Sequence, residues 1–387
     1  MNSKRDKHSF RVCPFPPNRP EWAGLFLAFL LLLWTGMPTP AGAQAVPNPG
    51  TIIDLGTLGG DYSDAFGINN DPTVVQVVGQ SRRVDFTVHA FFWTPPGPMI
   101  DLGTLGGDSN AFDINNYGQI AGSSFDALQQ YWAVVWTMTG SSSAVETLPT
   151  LTGACCAQAY GINNGTADDL LAVKVVGHSA TASGEHHAVV WTKSAAGWEV
   201  HDLGTLPGHQ RSFANDVNDD GAIVGSSFST AGIATGFLRT AAGMMFALST
   251  LGGETYANAI NNNGDVCGVS TDAAGHPHAV RWIAATNWKT IEDLGTLGGC
   301  CSDGEGINGL GDVVGASNFT QSLTAGKQRA FLKNSSGMHN LGALLRGSRV
   351  SVARDLNDFG SVVGASSGGS GNDKFMHAVL WTQPTAW

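Results

Sequence analysis

Seven copies of one short phrase govern what this chain can become. TIIDLGTLGG begins at residue 51 and returns as MIDLGTLGG (99), VETLPTLTG (145), VHDLGTLPG (200), MFALSTLGG (245), IEDLGTLGG (291) and MHNLGALLRG (338). The spacing averages roughly 48 residues, a period of propellers, solenoids and arrays, whose units bury a core only against one another. Each copy continues with an apolar–Asn step, at Asn69, Asn115, Asn163, Asn218, Asn261, Asn308 and Asn357. An apolar–Gly step follows, at Gly79, Gly122, Gly177, Gly225, Gly268, Gly315 and Gly364, and then a short apolar run of the HAFFW type. Four β-rich segments per copy, separated by Gly, Asn, Ser and Pro, predict four antiparallel strands. They are A (as in SNAFDIN), B (QIAGSS), C (YWAVVW) and D (MIDLGTL). Such a sheet must stack on its neighbours, and a closed ring leaves only short edges exposed. The expected fold is all-β, a seven-bladed β-propeller forming a single domain over 46–387.

The two ends support closure. The repeats open on a D strand, TIIDLGTL, and finish on a C strand, HAVLW at 377, so blade seven should take A, B and C from 351–382 and D from 51–58. A second pattern fits this frame. His begins strand C at His89, His187, His278 and His377, and Asp sits in strand D at Asp101, Asp202, Asp293 and Asp54. If each C pairs with the D after it, and the last C with the first D, the two residues occur together in four blades and are absent together in three. Cross-strand pairs of this kind stabilise a sheet by roughly 0.2–1 kcal/mol. Their spread over four blades marks them as structural pairs, because a catalytic or metal site would gather them.

Composition narrows the function. The chain carries a net charge of −11 with only 13% charged residues, so it lacks the basic footprint of a nucleic-acid or anionic-lipid partner. Lys4, Arg5, Lys7, Arg11 and Arg19 precede the apolar run AGLFLAFLLLLW (23–34), and prolines and AGAQA follow it. That is the order of a secretory signal peptide, expected over 1–45 with cleavage after Ala43 or Ala45. The run is shorter than the roughly 20 residues a spanning helix needs, so no stable membrane insertion is expected. The expected location is extracellular or periplasmic, an oxidising setting.

HAFFW at 89, HAVVW at 187, HAVRW at 278 and HAVLW at 377, together with DLGTLGG and GINN, resemble the repeat of the HAF-family extracellular repeat proteins of bacteria. The likeness runs over about 51–382. It implies an exported repeat protein, and it supplies no catalytic residues. TGFLR (235) and RAFLK (329) depart from the HAF pattern within the same frame.

In this frame the D–A and B–C loops share one face and the A–B and C–D turns share the other. The A–B turns are brief: NNYG, NDDG, NNNG and NDFG. The D–A and B–C loops vary, and variable loops on a repeated scaffold are where binding sits. Candidate ligand contacts around that mouth of the channel are Asp61, Asp64, Asp108, His209, Arg211, Glu254, Asp303, Glu305 and Arg349.

Other motifs have plainer readings beside the chemical ones. Cys155–Cys156 and Cys300–Cys301 lie in D–A loops. Each pair is a candidate vicinal disulfide, with free thiols, a metal site or a cross-channel bridge as alternatives. Cys267 takes the place of a buried Val. Asp216, Asn218 and Asp220 before Gly221 open like a calcium loop, but the later acidic ligand is missing. Gly364, Ser366 and Gly368 match GxSxG without the strand–turn–helix setting a nucleophile needs. The reading is a secreted binding scaffold without a cofactor, its ligand a polysaccharide or an envelope or extracellular protein. The alternatives are a glycoside hydrolase or lyase using acidic residues at the channel, and a metal- or redox-active protein using the cysteine pairs.

Overall fold

The computed structural model describes residues 51–165, 172–319, 328–345, 350–368 and 376–382. All of these fall in the unit Val46–Trp387; the expected signal segment and Arg349 lie outside the described residues. The strands form seven four-stranded antiparallel sheets arranged as a β-propeller. Blade one takes A from Gly59–Ile68, B from Val77–Arg83, C from Val88–Trp93 and D from Ile100–Asp101. The later A strands are Gly106–Ile114, Ala157–Ile162, His209–Val217, Gly252–Ile260, Ser302–Ile307 and Ser351–Leu356. Each touches the next, and the last touches the first, so the A strands surround a central axis. No helix among the described residues is long and apolar enough to cross a membrane.

Blade seven closes the ring in the expected way. Ile52–Asp54 pairs with Met376–Trp381, placing Ile53 opposite Leu380. Leu55 N donates to Ala378 O (3.0 Å) and Thr382 N to Thr51 O (3.0 Å). The strand ends earlier than the predicted residue 58, because Gly56 turns the chain at a φ of 77° and Leu58 N turns to Ser81 Oγ of blade one (2.9 Å).

Three repeated features explain why the sequence periods look as they do. The apolar residues of strands A, B and C form one cluster at each of the seven blade interfaces. At the closing interface Ala65, Phe91 and Trp93 pack on Val363, Ala378 and Leu380. The strand-B glycine faces a bulge in strand A, where a Cβ on Gly79 would run into Asp64 O and one on Gly225 into Phe213 O. Finally, a strand-B Ser accepts the N–H of the Leu in the TL step of its own D–A loop in all seven blades, Ser124 from Leu105 (2.8 Å) among them. A strand-A Ser or Thr accepts a strand-C N–H of the preceding blade in six, as Ser109 does from Ala90 (2.9 Å). Blade three has Ala157 there instead.

Candidate functional site: the central channel and its two mouths

At the A–B mouth the repeated Asn does more than shape its own turn. Asn218 Oδ1 accepts Ala222 N (2.9 Å) within the turn, while its Nδ2 donates to Asn261 O of the next blade (3.1 Å). The same link joins Asn115 to Asn163, Asn163 to Asn218, Asn261 to Asn308, Asn308 to Asn357 and Asn357 to Asn69. The following position makes a second ring. Asn70 N donates to Asn116 Oδ1 (2.7 Å), Asn116 N to Asn164 Oδ1 (2.9 Å), Asn164 N to Asp219 Oδ1 (2.9 Å) and Asp219 N to Asn262 Oδ1 (2.9 Å). Gly309 N donates to Asp358 Oδ1 (2.6 Å), and Asp358 N to Asn70 Oδ1 (3.0 Å). Within these two series lies a well of ≈ 170 Å³ whose charged lining residues, among the described residues, are Asp219 and Asp358.

The channel interior is half aromatic and half polar. Phe66, Phe112, Tyr160, His178, Phe213, Phe228 and Tyr256 form a chain of ring contacts, with centroids 5.0–6.3 Å apart, from blade one to blade five. Arg354 of blade seven extends the series at its blade-one end. Its guanidinium lies 5.8 Å from the Phe66 ring centroid, 3.1 Å from Asp64 and 3.5 Å from Glu305. Burial raises the pKa of Asp64, opposed by the Arg354 charge and hydrogen bond. Burial, then the Asp64 charge, pushes the Tyr62 hydroxyl up to about 12. His178 is wholly buried, neither ring nitrogen has a hydrogen-bond partner, and burial holds its pKa well below 6.5.

Of the acidic residues proposed as ligand contacts, Asp64 and Glu305 are the pair that a common partner brings together, with Arg354 between them. The others are held separately. Asp61 pairs with Arg82 (2.9 Å), Asp108 accepts Val88 N (3.0 Å), and Glu254 accepts the Tyr256 hydroxyl (3.2 Å) and Ala234 N (3.3 Å). Arg211 sits 5.5 Å from the Phe228 ring centroid and 3.8 Å from Glu185. His209 N closes the D–A turn on Leu206 O (3.0 Å), and Asp303 lies mid-strand opposite Ala316.

The four His–Asp pairs sit on the loop face, between strands C and D. His89, His187, His278 and His377 place Nδ1 at 2.9, 3.0, 2.8 and 2.9 Å from Asp101, Asp202, Asp293 and Asp54. Each Asp also accepts the N–H of the glycine two residues on, as Asp54 does from Gly56 (2.8 Å). Asn340 makes the same turn bond to Gly342 without a histidine.

The cysteine pairs differ from each other. Cys300 and Cys301 are joined as a vicinal disulfide, whereas no disulfide joins Cys155 to Cys156, so for that pair the vicinal disulfide gives way to the thiol alternative. Cys156 is fixed on both sides of its backbone, its N–H on Tyr131 O and its carbonyl on Ala180 N, and its side chain is buried while Cys155 is half-buried. The calcium-like pattern is spent on backbone. Asp216 accepts Val217 N (2.7 Å) and Ile260 N (2.8 Å), and Asn218 bridges two turns, so these oxygens hold the hairpin. Ser366 accepts Leu344 N (3.0 Å), the same bond its six counterparts make.

Several residues escaped sequence reasoning. Arg354 had a signal: in the aligned copies its column reads Phe66, Phe112, Tyr160, Asn215, Asn258, Glu305 and Arg354, and the two adjacent charges break an otherwise neutral series. Phe86 and Gln129 had a subtler one. Five B–C loops close the same way, with i+4 and i+3 backbone bonds. Their left-handed position is Gly184, Gly232 and Gly275 in blades three to five, but Phe86 (φ 67°) and Gln129 (φ 61°) in blades one and two.

No protein-family model matches this chain, and no curated protein matches it. Among solved structures it is similar to an acylaminoacyl peptidase of Pyrococcus horikoshii, with TM-score 0.50 and 9% identity. That likeness covers 83% of this chain and 51% of the peptidase, so this chain spans about half of that protein. It is also similar to the BP39L lectin of Burkholderia pseudomallei (TM-score 0.47, 10% identity, 81% and 93% covered). TolB of Acinetobacter baumannii matches with TM-score 0.42 and 12% identity, over 82% and 78% of the two chains. At these identities the likeness speaks to the fold alone.

Proposed function

We propose that the protein is a secreted scaffold of HAF-type repeats that binds an envelope or extracellular protein through its loop face. Export rests on the order of charge, apolar run and small residues in 1–45. The observation that carries the binding reading is the left-handed Phe86. A non-glycine residue there costs about 1 kcal/mol, and three sister loops use glycine at the same place. Yet Phe86 is 77% exposed, beside Val84 (75%), and Leu128 in the next blade is 78% exposed. Strain held by an exposed apolar side chain fits a surface used for contact. Aliphatic tips at Val84, Leu128 and Ile233 suit a protein surface better than a polysaccharide. Hydrolysis has less support, because Arg354 sits between the carboxylates of Asp64 and Glu305 and the other candidate acids have partners of their own.

The test compares the mature chain with Phe86→Gly/Leu128→Ser, each immobilised against fractionated envelope proteins and a polysaccharide panel. A purified protein should bind the wild type and bind the variant at least tenfold more weakly, while the variant melts at the same temperature or higher. Equal binding by the variant would remove the loop face as the site, and binding to the glycans alone would replace the ligand class.

A further inference from the structure

The opposite mouth carries its own, unused surface. At the third position of the A–B turn blades six, seven and two place Leu310 (73% exposed), Phe359 (54%) and Tyr117 (42%), and blade one adds Val74 (46%) in its longer turn. Blades six, seven, one and two are consecutive, so these side chains form an apolar crescent around one half of the axis. Blades four and five put Asp220 and Asn263 at that position, so it is polar there. Beside the crescent lies the axial well, whose charged lining residues, among the described residues, are Asp219 and Asp358.

Three features define an occupant. At ≈ 170 Å³ the well is smaller than the about 300 Å³ at which drug-sized ligand pockets begin, and it suits a single side chain. Asp358 Oδ1 holds Gly309 N and Oδ2 holds Asn70 Nδ2. Asp219 Oδ1 holds Asn164 N, and its Oδ2 holds both Asn164 Nδ2 and Asn262 Nδ2. Each carboxylate oxygen has two lone-pair sites, so Asp219 Oδ1 and both Asp358 oxygens keep acceptor capacity. A guanidinium, planar and always charged, matches carboxylates better than an ammonium. The apolar crescent then needs apolar neighbours on the incoming chain, and such an exposed patch marks a contact with another protein.

We propose that the A–B mouth is a second docking surface, taking a segment of another protein that inserts one arginine into the Asp219/Asp358 well and lays flanking apolar residues on Leu310, Phe359, Val74 and Tyr117. This surface is independent of the loop face, and occupation of both would let the propeller join two partners.

The experiment probes the mature chain with an array of short peptides, random except for a central Arg, Lys, citrulline or Glu flanked by apolar residues. Affinities of the enriched peptides are then measured by fluorescence anisotropy. Arginine peptides should be enriched, and their citrulline counterparts, neutral but of the same shape, should bind at least tenfold more weakly. Leu310→Ser/Phe359→Ser alters only exposed positions, so its melting temperature should hold while the arginine peptides lose at least tenfold. Phe86→Gly/Leu128→Ser should bind them unchanged, which separates this outcome from the loop-face reading. No enrichment, equal citrulline binding, or equal binding by Leu310→Ser/Phe359→Ser would each overturn the proposal. So would binding of calcium alone or of a polysaccharide at this mouth in place of the peptide.

Discussion

The two mouths of the channel are built from the same strands by opposite means. At the A–B mouth, side-chain amides cross from blade to blade, and in six of the seven blades the Asn that shapes the hairpin also ties it to its neighbour. At the B–C mouth each described loop closes on its own backbone, as Arg83 N on Thr87 O and Ser229 N on Ile233 O. A position that serves two blades tolerates little change, whereas a self-contained hairpin leaves its tip open to any residue. That difference accounts for the Asn that recurs in all seven A–B turns and for the diverse side chains at the B–C tips.

The largest effect should come from opening the ring. A mature chain lacking 51–55 loses the D strand of blade seven, the buried Leu55, and the bonds of Leu55 N and Thr382 N. A buried leucine is worth about 2–5 kcal/mol and each hydrogen bond about 1, so the loss should be about 5 kcal/mol. The bared edge of Met376–Trp381 should also promote aggregation. Urea unfolding with light scattering measures both, and an unchanged midpoint would mean that the ring holds without its terminal strand. Next comes Asn218→Ala on the stitched side, which leaves Ala222 N without its acceptor and takes one of two donors from Asn261 O, Gly264 N remaining, and should cost about 2 kcal/mol. Leu128→Ser on the loop side should stay within about 0.5 kcal/mol. Equal costs in the two variants would dissolve the contrast between the mouths.

The ring order, strand frame and closing strand were readable because every copy repeats a Gly where strand A bulges and an Asn in the A–B turn, and four copies add a His with an Asp two strand positions away. What repeats is what the scaffold needs. Arg354, Phe86 and the Asp219/Asp358 well break the repeat, and one departure in one copy has no second example to mark it in sequence. The inter-blade reach of Asn218 was hidden for another reason, since a tight-turn Asn explains its own presence locally. Cys155–Cys156 and Cys300–Cys301 show the same limit: identical pairs in equivalent loops, yet one is bonded and the other is not, with the Cys156 N–H held on Tyr131 O at a φ of 85°.

The interior of the loop half should respond to acid where the amide rings do not. His178 is packed among Tyr160, His186 and Phe213 with its nitrogens unpartnered, and the charged groups nearest its neighbour His186 are Glu185 and Arg211. Burial depresses the folded-state pKa of His178, so the unfolded chain takes up the proton first. Its contribution is present above the unfolded value near 6.5 and is lost as the pH falls below it. Stability should therefore drop as the pH falls below about 6.5 from this group. Urea midpoints for His178→Phe should fall less below that pH than those of the wild type. Parallel curves would assign the acid sensitivity elsewhere.

The smallest effect should be that of the His–Asp pairs, despite their conspicuous pattern. Burial alone would raise the Asp54 pKa, but the hydrogen bonds from His377 and Gly56 N and the His377 charge together lower it. Its stabilising contribution is therefore present above the model-peptide value near 3.8 and is lost as the pH falls through the lower folded value. The carboxylate side chain is 45% exposed, so solvent screens the pair, and a His377→Ala/Asp54→Ala double-mutant cycle should give a coupling of a few tenths of a kcal/mol. The turn bond to Gly56 is the larger share. Asp54→Asn preserves that acceptor, as Asn340 does naturally, and should be nearly neutral, whereas Asp54→Ala should cost about 1 kcal/mol. If Asn proves as damaging as Ala, the histidine contact outweighs the turn, and the four pairs become the fastening of the outer strands on the loop face.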